Sequence, residues 1–70
     1  MEKFGAKLRT LRTQRGMTTR ELGELLDVSH PFVTRMEQGK KTPNVAMVIK
    51  IAAIFGVTMD QLVQDELGLD

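Results

Sequence analysis

The chain has 70 residues, a formal net charge of +1, no cysteine and one histidine, so it forms one small domain spanning residues 1–70, able to bury only about 60% of the surface its unfolded form exposes. Disulfides and cysteine zinc sites are excluded, and a lone histidine leaves no metal cluster. No apolar run approaches a membrane span and the N-terminal MEKFGAK lacks a signal-peptide core, so the expectation is a soluble, cytoplasmic protein that needs no cofactor, metal or small-molecule ligand.

The first helix is expected over about residues 2–15, with Phe4, Leu8, Leu11 and Arg15 on one side and Gly16 as its stop. Arg12 lies at the edge of that apolar stripe, where a charge needs a carboxylate to meet it. Thr18 followed three residues later by Glu21 is a capping box, so a second helix runs from 19 to 26, with Leu22 and Leu26 as its stripe. Asp27 breaks the pattern, and the Ser29 hydroxyl caps a third helix over about 30–38. Pro31 falls in its first turn, where a missing N–H costs little. Val33 and Met36 face one way and Gly39 ends the helix. At about 100° per residue, His30, Thr34 and Arg35 project mostly the other way. Two short helices joined by a tight turn, with a polar and basic outer face, are suited to entering a DNA major groove.

Lys40-Lys41-Thr42-Pro43 is a short basic loop, and Asn44 caps a fourth helix over about 45–55, with Val48, Ile51, Ala52 and Phe55 as its core face. Gly56 closes it. Thr58 with Gln61 makes a second capping box for a fifth helix over about 59–65, with Leu62 inward. No repeat, low-complexity tract, internal linker or strand pattern appears. The expected fold is all-α, five short helices around one core. Charge is uneven along it. Residues 1–50 carry all ten Lys and Arg against five acids, whereas residues 51–70 carry four acids and no base. The basic part, which holds the helix hairpin, suits phosphate, and the acidic tail suits a place away from it.

In order and spacing, several segments resemble the phage repressor and Cro-like (Xre-like) helix-turn-helix family. They are L-R-x-x-R-G-M-T (Leu11 to Thr18), E-L-G-E-L-L-D-V-S (Glu21 to Ser29) and V-T-R-M-E-Q-G-K (Val33 to Lys40). Thr42-Pro43, I-A-A-I-F-G-V-T (Ile51 to Thr58) and D-Q-L (Asp60 to Leu62) continue the match. The resemblance covers about residues 7–63. It implies a compact five-helix lambda-repressor-like DNA-binding domain, with the helix-turn-helix at about 18–38. It also implies base-reading positions at Ser29, His30, Pro31, Thr34 and Arg35, and phosphate-binding positions at Thr18, Thr19, Gln38, Lys40 and Lys41. The family's ion pair between the first helix and the recognition helix falls on Arg12 and Glu37, which accounts for the charge beside the apolar stripe.

Three residues depart from the family pattern. Thr19 stands where glutamine is usual and reaches less far toward a phosphate. Asp27 stands at a turn position often held by glycine, and adds negative charge near the DNA. Pro31 offers a base only van der Waals contact. Met47 and Ile54 on the fourth helix point well away from its core face, and Val63 and Leu67 extend an apolar series into the tail, followed by Leu69. The resemblance implies dimerisation at this end of the fold, so Met47, Ile54, Val63 and Leu67 are the expected homodimer interface.

The function expected is sequence-specific binding of double-stranded DNA by a transcriptional repressor acting as a homodimer on a near-palindromic operator. The start at Met1 and the short tail add the expectation of a complete small protein. Thr19, Asp27, Pro31 and an outward Leu25 support the alternative, a protein-interaction module of the same fold with little sequence-specific DNA binding. An enzyme is the poorest reading, since no nucleophile–base pair, metal set or phosphate loop is present.

Overall fold

Apolar residues recur every three or four positions in each helical segment, and folding gathers them into one core. The computed structural model describes residues 1–70, with helices α1 (Phe4–Gln14), α2 (Thr19–Leu26), α3 (His30–Glu37), α4 (Val45–Phe55) and α5 (Met59–Val63) and no strand. Phe4, Leu8 and Leu11 come from α1, Leu22 and Leu26 from α2, and Val33 and Met36 from α3. Val48, Ile51, Ala52 and Phe55 of α4 and Leu62 of α5 complete the buried cluster. The whole domain measures 28 × 23 × 19 Å, and no helix is long and apolar enough to cross a membrane.

Local chemistry sets most helix ends. The hydroxyls of Thr18 and Thr58 accept from the N–H groups of Glu21 and Gln61, and both capping boxes are complete. Ser29 accepts from the Phe32 N–H at 3.4 Å, and Asn44 Oδ1 from the Met47 N–H at 2.8 Å. Asp27 ends α2 in the left-handed region, at φ 59° and ψ 43°, a conformation Asp tolerates better than most residues.

Two glycines allow helices to approach more closely than a side chain would permit. A Cβ on Gly5 would lie 2.5 Å from the Glu37 carbonyl oxygen, so α1 crosses α3 against bare backbone. A Cβ on Gly23 would lie 2.7 Å from the Val28 carbonyl oxygen, which lets the turn fold back against α2. Both obstacles are backbone atoms, which cannot swing aside.

The structure alters the expected outer helix ends and the surroundings of Arg15. α1 starts at Phe4 rather than residue 2, and α5 stops at Val63 rather than 65. Both differences come from a clasp between the chain ends. The buried Lys7 ammonium donates to the carbonyls of Gln61, Gln64 and Leu67 at 2.6, 2.8 and 2.6 Å, turning the chain around it after α5. Asp65 in turn accepts from the N–H groups of Glu2 and Lys3 at 3.0 and 2.8 Å, and lies 3.6 Å from the terminal ammonium. α3 ends at Glu37, with Gln38 as its C-cap. Arg15 is exposed rather than part of the apolar side, and its guanidinium lies over the Phe55 ring, 5.4 Å from the centroid.

Hydrogen bonds from the backbone, Lys3 N–H foremost, hold the Asp65 carboxyl below its ordinary value. A lowered value in the folded state means the contribution is present above the usual carboxylate range and is lost as pH falls through the folded value. The stability of the wild type against thermal unfolding should therefore fall on acidification below about pH 4. Asp65→Asn should be less stable at neutral pH and lose less between those conditions; parallel pH curves for the two proteins would contradict this.

Candidate nucleic-acid interface

The outer face of α3 is built by elimination. Val33 and Met36 enter the core, Phe32 is half-buried against it, and His30, Pro31 and Arg35 are left exposed. Ser29, also exposed, uses its oxygen as the helix cap, which leaves its O–H free to donate. Thr34 is half-buried, and its hydroxyl donates to the His30 carbonyl at 3.2 Å. It lines a cleft behind the exposed row rather than standing in it.

That cleft has a volume of about 220 Å³ and is lined by six polar residues, Arg9, Arg12, Thr19, Thr34, Glu37 and Gln38. Its frame is an ion pair between α1 and α3. Arg12 Nε donates to Glu37 Oε2 at 2.6 Å and Nη2 to Oε1 at 3.1 Å, while Nη1 donates to the Met17 carbonyl at 2.8 Å. The side chains are only 13% and 7% exposed. The hydrogen bonds that Arg12 donates to Glu37 raise its value against the opposing effect of burial, so the guanidinium stays charged. One side chain thus ties together α1, the last turn of α3 and the loop that leads into α2.

Around this frame the groups suited to phosphate are arranged. Thr18 is fully engaged in its capping box through N–H and oxygen. The next two backbone N–H groups, on Thr19 and Arg20, have no acceptor in the chain and sit at the positive end of α2. Gln38 lies at the cleft edge. Lys40 and Lys41 fold back beneath α3, their backbone N–H groups donating to the Arg35 carbonyl at 2.8 and 3.3 Å, and their exposed side chains form no ion pair. Arg9 was not among the residues singled out by sequence. It lies one turn before Arg12, and that i, i+3 relation is the signal that places it in the same cleft. No group of three or more His, Cys, Asp or Glu side chains is placed to hold a metal ion.

The expected dimer residues are placed differently from one another. Met47, Ile54 and Val63 pack half-buried against the protein's own core, and only Leu67 is exposed. The more open apolar side chains are Val45 at 69% and Ile49 at 51% on α4, with Leu25 at 50% on α2.

A capped helix, a left-handed turn, a second capped helix with a free polar face and a polar cleft beside it define a helix-turn-helix domain. Residues 3–65 match the model of the helix-turn-helix domain family, and the chain belongs to that family. It is 38% identical over 63 residues to the HTH-type transcriptional activator BcrR of Enterococcus faecalis, covering 90% of this chain and 31% of that protein. It is 36% identical over 62 residues to a propionyl-CoA carboxylase regulator of Cereibacter sphaeroides, covering 89% of this chain and 13% of that protein. The crystal structure of the clp gene regulator ClgR from Corynebacterium glutamicum superposes with a TM-score of 0.79 at 29% identity, over 89% of this chain and 66% of that one. The chain therefore spans only part of these relatives, all of them regulators by name.

Breaking the Arg12–Glu37 pair from one side leaves a buried charge without its partner, which typically costs about 3–5 kcal/mol. Arg12→Met should lower stability by about that amount in urea unfolding, and adding Glu37→Leu should restore most of it. A double variant no more stable than the single one would show that Arg12 acts through its Met17 bond instead.

Proposed function

We propose that this protein is a sequence-specific double-stranded DNA-binding regulator of transcription, acting as a homodimeric repressor on a near-palindromic operator. The observation that carries this reading is the exposed row of the Ser29 cap and His30, Pro31 and Arg35 of α3, beside the polar cleft and the exposed Lys40 and Lys41. α3 lies in the major groove, and Arg35 pairs with guanine O6 and N7. Thr19, Arg9, Gln38, Lys40, Lys41 and the α2 N-terminus hold phosphates, with Thr34 supporting the cleft wall. Phosphate contacts fix the register and the α3 row reads sequence.

One domain of this size makes a small DNA interface, about 600–1,000 Å² for a single module, so pairing supplies useful affinity. The longest dimension is 28 Å, which lets two copies related by a two-fold axis set their α3 helices about 34 Å apart, one turn of DNA. The outer edges of Met47, Ile54 and Val63, with exposed Leu67, are the proposed contact. Occupying a promoter is enough to repress. The activator BcrR resembles this chain over only 31% of its own length, so its sign of regulation does not carry over with the shared domain.

Binding to random duplex DNA, selected and sequenced at two salt concentrations, tests the reading. A palindromic sequence should be retained, affinity should fall steeply with salt as counterions leave the phosphates, and Arg35→Ala should lose the sequence preference. Arg9→Ala should weaken all sequences alike and reduce the salt slope by about one. Salt-insensitive or sequence-blind behaviour would favour a protein-interaction module. Separately, sedimentation at tens of micromolar should show a dimer that Leu67→Glu weakens, and a monomer there would remove the dimer from the proposal.

A further inference from the structure

Four of the helices carry their own N-terminal caps, at Thr18, Ser29, Asn44 and Thr58, and α1 does not. Its N-cap position is Lys3, which makes no side-chain cap bond, and its first turn holds no acidic residue. The missing acceptor comes from the other end of the chain. Asp65 takes the N–H groups of Glu2 and Lys3, 63 and 62 residues away in sequence, and sets a negative charge at the positive end of α1. Lys7, only 8% exposed, holds the carbonyls of Gln61, Gln64 and Leu67. Beyond α5 the tail has little apolar hold. Gln64, Glu66, Gly68 and Asp70 are exposed, and Leu69 is the one tail side chain packed on the core. Groups held by polar anchors regain hydrogen bonds to water when they part, so such a segment opens well before the core does.

What the tail fastens touches the candidate interface. Gly5 lies against the Met36 and Glu37 carbonyls at the end of α3, closer than a Cβ would allow. Glu2, Phe4 and Gly5 face Gly39, Lys41 and Pro43 across a cavity of about 50 Å³. The segment that Asp65 holds is thus one wall of the loop that carries Lys41. Resting on the DNA-binding reading above, we propose that residues 64–69 form a strap that opens and closes as one unit, and that its closed state is the one that binds DNA. Lys7 and Asp65 are positioning residues in this arrangement. Neither lines the polar cleft, yet both fix the segment on which the end of α3 and the basic loop rest. Because the two equilibria are linked, DNA favours the closed strap by the same factor that the closed strap favours DNA.

Backbone amide hydrogen exchange on the full chain tests the strap, and binding to the duplex retained by selection tests its link to DNA. Lys7→Met should speed exchange at Glu2 and Lys3, whose partner is Asp65, and Asp65→Ala should speed it at Gln64 and Leu67. Each crossed effect should be about tenfold, as for losing a charge-assisted hydrogen bond. Amides of α2 to α4 should keep their wild-type rates, which shows each variant folded; should Lys7→Met not fold, Asp65→Ala carries the test alone. Both variants should bind the duplex about fivefold more weakly, with an unchanged salt slope because no phosphate contact is lost. The two substitutions change net charge in opposite senses, so a purely electrostatic effect would move their affinities in opposite directions. In the wild type, bound DNA should slow exchange at Gln64 and Leu67 by at least the factor of affinity that the variants lose. Crossed amides that do not respond, or variant affinities equal to the wild type, would overturn the proposal while leaving sequence-specific binding intact. A wild type that retains no duplex would overturn the DNA-binding reading, and the link to DNA with it, while the crossed exchange would still decide the strap.

Discussion

The ion pair between Arg12 and Glu37 is the contact on which the candidate interface depends. Two charges are taken almost wholly out of water, each at a desolvation cost of several kcal/mol, and the bidentate geometry with a third bond to the Met17 carbonyl offsets it. The net stability gained from such a pair is small. Its consequence is geometric, because three separate parts of the chain must meet at one guanidinium. α1, the loop that leads into α2 and the end of α3 are thereby held in fixed relation, and the polar cleft lies beside them. Gly5 lets α1 approach α3 closely enough for the pair to form.

α1 also links the interface to the far side of the domain. Arg9 and Arg12 line the cleft, while Lys7 gathers three carbonyls of the C-terminal turn. Lys7 and Arg9 are two residues apart, about 200° around the helix, so they serve opposite faces. The ammonium is buried yet fully satisfied, and Asp65 answers it by taking the free N–H groups ahead of α1. The acidic tail is thus held against the first helix, with the sequence ends packed together.

Much of the fold was legible because it rests on neighbours in sequence. Thr18 with Glu21, Ser29, Asn44, and Thr58 with Gln61 cap helices with groups three residues away, and the apolar stripes are set by helical spacing alone. Other features were not legible for the opposite reason. Lys7 meets partners 54 to 60 residues distant, and nothing around it in sequence separates it from a solvated lysine. Met47, Ile54 and Val63 looked free on a single helix, yet neighbouring elements half-cover them. Thr34 stands half-buried, and only the packing of α1 beside α3 makes it part of a cleft shared with Arg9 and Arg12.

The sequence by itself determined the helices, their caps, the left-handed turn at Asp27 and the residue types along α3, since each follows from interactions within one or two turns of the chain. Only the tertiary structure decided which of those residues stay available. It closed the Glu37 carboxylate onto Arg12, brought Arg9 and Thr34 together in the cleft and folded the tail onto Lys7. The physical reason is that hydrogen-bonding capacity belongs to a residue, whereas its availability depends on what distant segments bring to it.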